Sequence, residues 1–157
     1  MSTKPLSVGD ICPSFSLLDQ HGQVTHSADL IGSQLLVIYF YPKDDTPACT
    51  KEACSFRDSH AEFSDLGCKV IGISSDSVSA HLKFAEKHRL NFTLLADVTG
   101  EVRKSFGVPR ALFGILPGRV TYIIDLQGTV QGIFNSMTDP MGHIAHALET
   151  IKSLQSE

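Results

Sequence analysis

The feature that most constrains the fold is a continuous run of β-forming residues in the first third of the chain. Leu35–Tyr41 reads LLVIYFY and lacks the apolar–polar alternation of a half-exposed strand. A run of this kind is typical of a strand buried on both faces, at the centre of a sheet that helices cover on each side. Pro42 ends it, because proline has no N–H to donate to a neighbouring strand.

Helical and extended patterns alternate after this strand. The predicted helices run from Thr46-Pro47 to Leu66-Gly67, from Ser77 onward, over Thr99–Phe106 and over Pro140–Leu154. The predicted strands are Cys68–Ser75, Phe92–Leu95, and a hairpin of Arg119–Leu126 and Thr129–Phe134. The inward stripe of the last helix is Met141, Ile144, Leu148 and Ile151. A further hairpin is predicted in PSFSLLDQHGQVTHSADL, before the central strand. We therefore predict an α/β fold of one domain, residues 1–157, with a central mixed sheet flanked by helices.

Composition excludes several classes of function. The chain has 157 residues, 42% of them hydrophobic, and a net charge of −4, so it can bury a core of its own. No cluster of lysines or arginines is present, which argues against nucleic acid as a partner. The apolar runs are too short to span a bilayer. The N-terminal residues lack the pattern of a signal peptide, so we expect a cytoplasmic protein unless a targeting segment has been removed.

Two of the four cysteines follow the central strand closely, in TPACTKEAC. Pro47 suits the first turn of a helix, which places Cys49 near the helix entrance. Free backbone N–H groups and the positive end of the helix dipole favour a thiolate there. At about 100° per residue, Cys49 shares the packed face with Phe56, whereas Cys54 lies about 140° away on the polar side. We expect one sulfur in a pocket and the other toward solvent.

Three interpretations of this pair are open: two buried inert thiols, a metal site, or a redox-active pair. Zinc sites typically need C-x₂-C with a second matching pair, and the spacing here is C-x₄-C. In a regular helix, Cα atoms five residues apart are about 8.6 Å from each other. A disulfide needs about 7 Å or less, so these sulfurs can bond only if the helix entrance unwinds. The spacing and the helix position together favour the redox-active pair.

The sequence around these cysteines resembles the peroxiredoxins. YFYP and TPACT, followed by Glu52, are similar to the active-site signature of that family, and the step to Cys54 resembles the peroxiredoxin Q, or bacterioferritin comigratory protein, subfamily. Further similarity is found in GDICPSFSLLDQHGQ, ISSDS, LLADVTGEVRKSFGV and GRVTYIID. Cys12 stands where this subfamily more commonly has a small residue without a thiol, and Ala48 replaces a frequent glycine.

The resemblance implies a thioredoxin-like fold and thiol-dependent reduction of hydrogen peroxide and organic hydroperoxides. It implies that Cys49 is the peroxidatic nucleophile and that Cys54 resolves it as an intramolecular disulfide, which thioredoxin or a similar dithiol then reduces. Thr46 would bind the peroxide and Pro47 would shield the sulfur. Arg119 would stabilise the thiolate and the O–O bond, and Glu52 would orient Arg119. The resemblance further implies a monomer and no metal or organic cofactor.

Several residues receive simpler interpretations. Cys12 and Cys68 adjoin apolar segments, and we expect both to pack in the core. His143 and His146 share a helix but have no evident third metal ligand, and we expect them on a solvated face. Two rival functions remain open: a thioredoxin-like disulfide oxidoreductase without specific peroxidase activity, and a binding module without catalysis.

Overall fold

A computed structural model describes residues 4–111, 114 and 116–156. The described residues form a seven-stranded sheet in the order β2-β1-β5-β4-β3-β6-β7. Its strands are β1 Ser16–Asp19, β2 Val24–His26, β3 Leu35–Phe40, β4 Cys68–Ser74, β5 Thr93–Ala96, β6 Val120–Ile124 and β7 Val130–Asn135. Parallel and antiparallel pairs both occur, which confirms the predicted mixed sheet and the N-terminal hairpin of β1 and β2.

Strand β3 lies where its composition predicts, next to parallel β4 on one side and antiparallel β6 on the other. Its side chains alternate between two cores. Val37 and Tyr39 belong to one core cluster with Cys49, whereas Ile38 and Phe40 belong to the other. A strand with apolar contacts on both faces has no position for a polar residue, which explains the unbroken apolar run.

Helices cover both faces of the sheet. They are α1 Ser27–Leu30, α2 Pro47–Asp58, α3 His60–Asp65, α4 Val78–His88, α5 Glu101–Ser105 and α6 Pro140–Gln155. Helix α2 leaves the carboxyl end of β3 and packs against α6, so the segment that carries both cysteines crosses one face of the central strands. Within the described ranges, no helix is long and apolar enough to cross a membrane.

Some predicted boundaries and faces are wrong. The helix predicted to run to Leu66 is two helices, because the backbone of Ser59 leaves helical geometry at φ −96° and ψ 6°. Apolar periodicity continues across this break, so the pattern does not reveal it. Helix α5 begins only at Glu101, after Gly100 in the left-handed conformation.

The predicted inner stripe of α6 also needs correction. Ile144 and Ile151 are buried, but Met141 is 48% exposed. The Met141 thioether accepts a hydrogen bond of 2.7 Å from the Ser55 hydroxyl, at the surface between α6 and α2. His143 occupies the inward position of this first turn instead.

Candidate active site

The loop that joins β3 to α2 is held by a buried network. The Tyr41 hydroxyl donates to Asp44 Oδ1 at 2.5 Å, and the other oxygen of Asp44 is 2.6 Å from His81 Nδ1. His81 Nε2 bonds to the carbonyl of Leu95, and the Asp44 N–H donates to Asp76. The loop is therefore anchored to α4 and β5 just before the helix entrance.

Three members of this network, Asp44, Asp76 and His81, also have potential metal-ligand atoms within 4.8 Å of one another. Each of these side chains is already engaged. Asp44 accepts from Tyr41, Asp76 accepts from Ser74, and His81 spans Asp44 and Leu95. The geometry is that of a buried hydrogen-bond network in which each of the three side chains has a protein partner.

Cys49 is the third residue of α2, and its side chain is 1% exposed. The backbone N–H groups in this first turn precede the regular i→i−4 ladder, so their partial positive charge faces the start of the helix. Thr46 is the N-cap residue, yet its hydroxyl donates to the carbonyl of Lys43 at 2.8 Å instead of capping the helix. Pro47 occupies the first helical position and is exposed.

Arg119 lies directly against the Cys49 sulfur. Its Nη2 is 3.2 Å from Cys49 Sγ, and its Nη1 is 2.6 Å from Glu52 Oε1. Strand register explains the approach: Phe40 pairs with Val120, so Arg119 lies beside the end of β3, where the chain turns into α2. Arg119 is 2% exposed, so its charge acts in a site from which water is largely excluded.

Burial and charge oppose each other at Glu52, which is 0% exposed. Burial raises the pKa of the Glu52 carboxyl from 4.5 to about 8, although the guanidinium of Arg119 acts to lower it. Burial alone lowers the pKa of Arg119, but Glu52 and Cys49 reverse the effect and leave it raised. Arg119 is charged, because a guanidinium keeps its proton in proteins. The raised pKa of Glu52 follows from full burial with only one of its oxygens hydrogen-bonded among the described residues.

Arg103 is a site neighbour that the sequence patterns did not single out. Its two terminal nitrogens each donate at 2.8 Å, one to the carbonyl of Gly118 and the other to that of Tyr41. These carbonyls immediately precede Arg119 and Pro42, so Arg103 ties together the two backbone segments that form the site. Its only signal in the sequence is its position within LLADVTGEVRKSFGV, one of the segments that resemble the peroxiredoxins.

The four cysteines, all within the described residues, are free thiols. Cys54 lies on the same regular helix as Cys49 and is half-buried, so its expected position toward solvent is only partly met. Cys12 and Cys68 are buried in the two core clusters, which confirms the expected core packing. Burial raises the pKa of each of these two thiols to about 12, so they stay protonated.

The expected solvated position of His143 is wrong. Its side chain is 0% exposed, and its Nδ1 is 2.7 Å from the Thr121 hydroxyl and 3.5 Å from Glu52 Oε2. The ring also packs edge-on against Phe134. The helical periodicity of apolar residues could not show this, because His143 is polar. It lies on the inward face of α6 only because it has polar partners on β6 and α2.

With the site described, comparison with known proteins decides the family. A profile of the AhpC/TSA family matches residues 8–133. The chain belongs to the AhpC/TSA family. It is 48% identical over 149 residues to peroxiredoxin Q, chloroplastic, of Triticum aestivum, with 95% of this chain and 68% of the relative aligned. The corresponding protein of Populus jackii is 49% identical over 146 residues, covering 93% and 68%.

Solved structures of similar proteins share the fold. Peroxidoxin BcpB of Mycobacterium tuberculosis superposes with a TM-score of 0.87 at 38% identity, covering 95% of this chain and 98% of that one. Peroxiredoxin Q of Xanthomonas campestris gives a TM-score of 0.81 at 31% identity, covering 88% and 90%. These findings confirm the peroxiredoxin Q resemblance and the thioredoxin-like fold. As a member of this family of peroxiredoxins, the chain is a thiol-dependent peroxidase.

Proposed function

We propose that this peroxiredoxin reduces hydrogen peroxide and organic hydroperoxides through a Cys49 thiolate. The observation that carries the proposal is the contact of 3.2 Å between the Arg119 guanidinium and Cys49 Sγ, at the N-terminus of α2. A guanidinium in this position stabilises the sulfur anion and keeps a second set of N–H groups near the place where the peroxide must bind.

The first step is attack of the thiolate on one oxygen of the peroxide. The S–O bond forms as the O–O bond breaks, the sulfur loses two electrons, and the leaving oxygen takes up a proton to become water or an alcohol. Negative charge moves from sulfur to the leaving oxygen, so fixed positive groups lower the barrier. Arg119 would supply this charge and Glu52 would orient it. Thr46 would bind the peroxide through its hydroxyl, and Pro47 would shield the sulfur.

The second step would join Cys49 and Cys54. The Cys54 thiol attacks the sulfenic acid of Cys49, a disulfide forms, and the oxygen leaves as water. Because both residues lie in the regular helix α2, this step requires α2 to unwind. A dithiol donor of the thioredoxin type would then reduce the disulfide to two thiols and become oxidised itself.

Substrate range, compartment and assembly are further parts of the proposal. One solved structure, at 30% identity, is of the Xanthomonas campestris bacterioferritin comigratory protein and is named for the alkyl peroxide reduction activity of that protein. This similarity supports organic hydroperoxides as substrates here.

The plant relatives are named chloroplastic. A cytoplasmic location for this chain is a prediction that cell fractionation tests. We propose one peroxiredoxin domain that acts as a monomer, which sedimentation analysis tests.

Stopped-flow kinetics on the reduced protein test the function. Hydrogen peroxide is expected to oxidise Cys49 far faster than it oxidises free cysteine, and Cys49→Ser should abolish this fast phase. Mass spectrometry after one equivalent of peroxide should locate a new Cys49–Cys54 disulfide. A rate no greater than that of free cysteine, with faster reaction toward protein disulfides, would instead support a disulfide oxidoreductase.

A further inference from the structure

A buried group of polar side chains adjoins Arg119 and is not used by the proposed reaction. Glu52, His143 and Thr121 are each 0% exposed. Glu52 Oε1 accepts from Arg119, and Glu52 Oε2 is 3.5 Å from His143 Nδ1. The same imidazole nitrogen is 2.7 Å from the Thr121 hydroxyl. The three residues come from α2, α6 and β6, so only the tertiary fold brings them together.

The hydrogen bonds of His143 determine what its Nδ1 can do. His143 Nε2 is 2.8 Å from the carbonyl oxygen of Ser136. A carbonyl only accepts, so Nε2 carries a hydrogen. In the neutral ring, Nδ1 is then an acceptor, and the Thr121 hydroxyl donates to it.

Glu52 Oε2 faces this acceptor and has no hydrogen-bond partner in the part of the chain that the structure describes. If the carboxyl were ionised and the imidazole neutral, an anionic oxygen without a donor would face an acceptor nitrogen whose one lone pair already accepts from Thr121, in a fully buried site. Buried polar groups without compensation are costly. A proton on either Glu52 Oε2 or His143 Nδ1 removes the conflict.

The charges of the site lead to the same conclusion. A Cys49 thiolate contributes −1, Arg119 contributes +1, and an ionised Glu52 would contribute −1. These three groups would then carry one uncompensated negative charge beside the nucleophile, since the nearby charge of Arg103 is opposed by the buried carboxylate of Asp97. One further proton on Glu52 or His143 makes the site neutral, which burial favours.

We propose that the Glu52–His143 pair holds one proton in the reduced enzyme, on the Glu52 carboxyl, so that the charge of Arg119 acts on Cys49 and the peroxide instead of on a carboxylate. Both members of the pair are positioning residues, because they act through Arg119 without contact with the reacting oxygen atoms. The proton stays on the pair and is not transferred to the leaving oxygen. This inference rests on the proposed peroxidase mechanism.

The pKa values of the pair agree with a proton on the carboxyl. Burial raises the pKa of Glu52 to about 8 and lowers the pKa of His143 to about 4. Cys49 and Arg119 face Glu52 from α2 and from the start of β6. Tyr39 faces it from β3, with a pKa that burial and Glu52 raise well above the usual value. The groups on α6 that act on His143 are Asp139 and His146.

The pH dependence of Cys49 oxidation tests the proposal. The second-order rate constant of the reduced protein with hydrogen peroxide is measured by stopped flow from about pH 5 to about pH 10, a range that brackets the Glu52 pKa of about 8. The rate is expected to be highest while the pair holds its proton. It should then fall by about tenfold as the pair loses its proton, which is the effect of a change of one pKa unit in charge interaction.

Glu52→Gln separates this effect from a structural role. An amide cannot lose the proton, and its N–H₂ can donate toward His143 Nδ1 while its oxygen accepts from Arg119. Relative to its own neutral-pH rate, this variant should show no alkaline decline. Infrared difference spectra between about pH 6 and about pH 10 give a readout independent of activity. A protonated-carboxyl band should disappear with rising pH in the native protein and be absent in Glu52→Gln.

His143→Phe should keep the alkaline decline and move it to lower pH, because the carboxylate no longer faces an acceptor nitrogen. His21→Phe is the control. His21 is exposed in the turn between β1 and β2, and its replacement should leave the profile unchanged. If His143→Phe does not fold, Glu52→Gln and the infrared band still decide the matter.

Three results would each overturn the inference: a native profile without an alkaline decline, a decline of equal size in Glu52→Gln, or absence of the carboxyl band in the native protein. Failure of the peroxidase proposal is distinguishable, because it appears as a rate no faster than that of free cysteine at every pH. Fast oxidation that stays constant above about pH 8 rejects only the proton on the pair.

Discussion

Replacement of Arg119 by methionine is the most direct perturbation of the site. Arg119 is 2% exposed, and its guanidinium contacts both Cys49 Sγ, at 3.2 Å, and Glu52 Oε1, at 2.6 Å. Methionine retains much of the volume and removes the charge and all N–H donors. The variant therefore tests whether charge beside the sulfur, instead of packing at this position, produces the reactivity of Cys49.

The size of the effect follows from the contact distance. Two unit charges 3.2 Å apart interact by about 5 kcal/mol at an effective dielectric constant of about 20, which sets an upper scale. Part of this interaction exists before the reaction and does not lower the barrier. Removal of one donor that faces developing charge typically costs about 2.7–4 kcal/mol, or about 10²- to 10³-fold in rate. We expect a fall of this size in the rate of Cys49 oxidation.

The assay is a single turnover of the reduced variant with hydrogen peroxide, followed by stopped flow. The rate of Arg119→Lys should lie between those of the native protein and Arg119→Met, because one ammonium cannot reproduce a planar guanidinium that reaches Glu52 and Cys49 together. Each 1.4 kcal/mol of lost stabilisation corresponds to a loss of about tenfold in rate. Arg89→Met is the matched control: this arginine is exposed at the end of α4, and its loss should leave the rate unchanged.

The reasoning would be refuted if Arg119→Met retained oxidation within about twofold of the native rate while remaining folded. Such a result would mean that the helix N-terminus alone accounts for the reactivity of Cys49. Circular dichroism and the midpoint of thermal unfolding establish that the variant is folded. Glu52 loses its only hydrogen-bond donor among the described residues in this variant, so its pKa should rise further and stability should decrease more steeply at high pH.

Three further predictions address the second cysteine, the helix and the buried carboxyl. Cys54→Ser should consume about one equivalent of peroxide and lose turnover supported by thioredoxin; undiminished turnover would assign resolution to another thiol. Oxidation should reduce hydrogen-exchange protection of amides over Pro47–Asp58, because the two sulfurs cannot bond within a regular helix; equal protection in both redox states would contradict this. Burial raises the pKa of Glu52 from 4.5 to about 8, so folded Glu52 keeps a proton that the unfolded chain has already released. The free energy of unfolding should therefore fall as pH rises from about 6.5 to about 8, by up to about 1.4 kcal/mol per pH unit. Below about pH 6.5 the lowered pKa of His143 acts in the opposite direction. Urea unfolding of the native protein and of Glu52→Gln should therefore be compared above that pH. The same slope of unfolding free energy against pH in both proteins would reject the assignment to Glu52.

Local patterns predicted the elements that carry the nucleophile. Strand β3 and the start of α2 appear where the apolar run, Pro42 and Pro47 indicate. These signals suffice because burial on both faces and the first turn of a helix constrain residue type directly. The break at Ser59 was missed, because a helical pattern can continue across two helices that pack on one core.

The surroundings of Cys49 were less accessible to pattern analysis. Arg119 lies 70 residues farther along the chain, and only resemblance to a family singled it out. Arg103 and His143 were missed or assigned to the surface. A charged or polar residue on a helix is usually solvated, and no local signal distinguishes the exception whose partner lies on another element.

Apart from the short helix α1 and the break at Ser59, the sequence by itself determined the order and type of the elements, and it placed a cysteine at a helix entrance after a buried strand. The register of β3 with β6 and the packing of α6 on α2 decided which charges surround that cysteine. The physical reason is that secondary structure responds to neighbouring residues, whereas charge interaction depends on distance and burial in space. Whether Glu52 holds a proton is therefore a property of the folded site and not of its sequence motif.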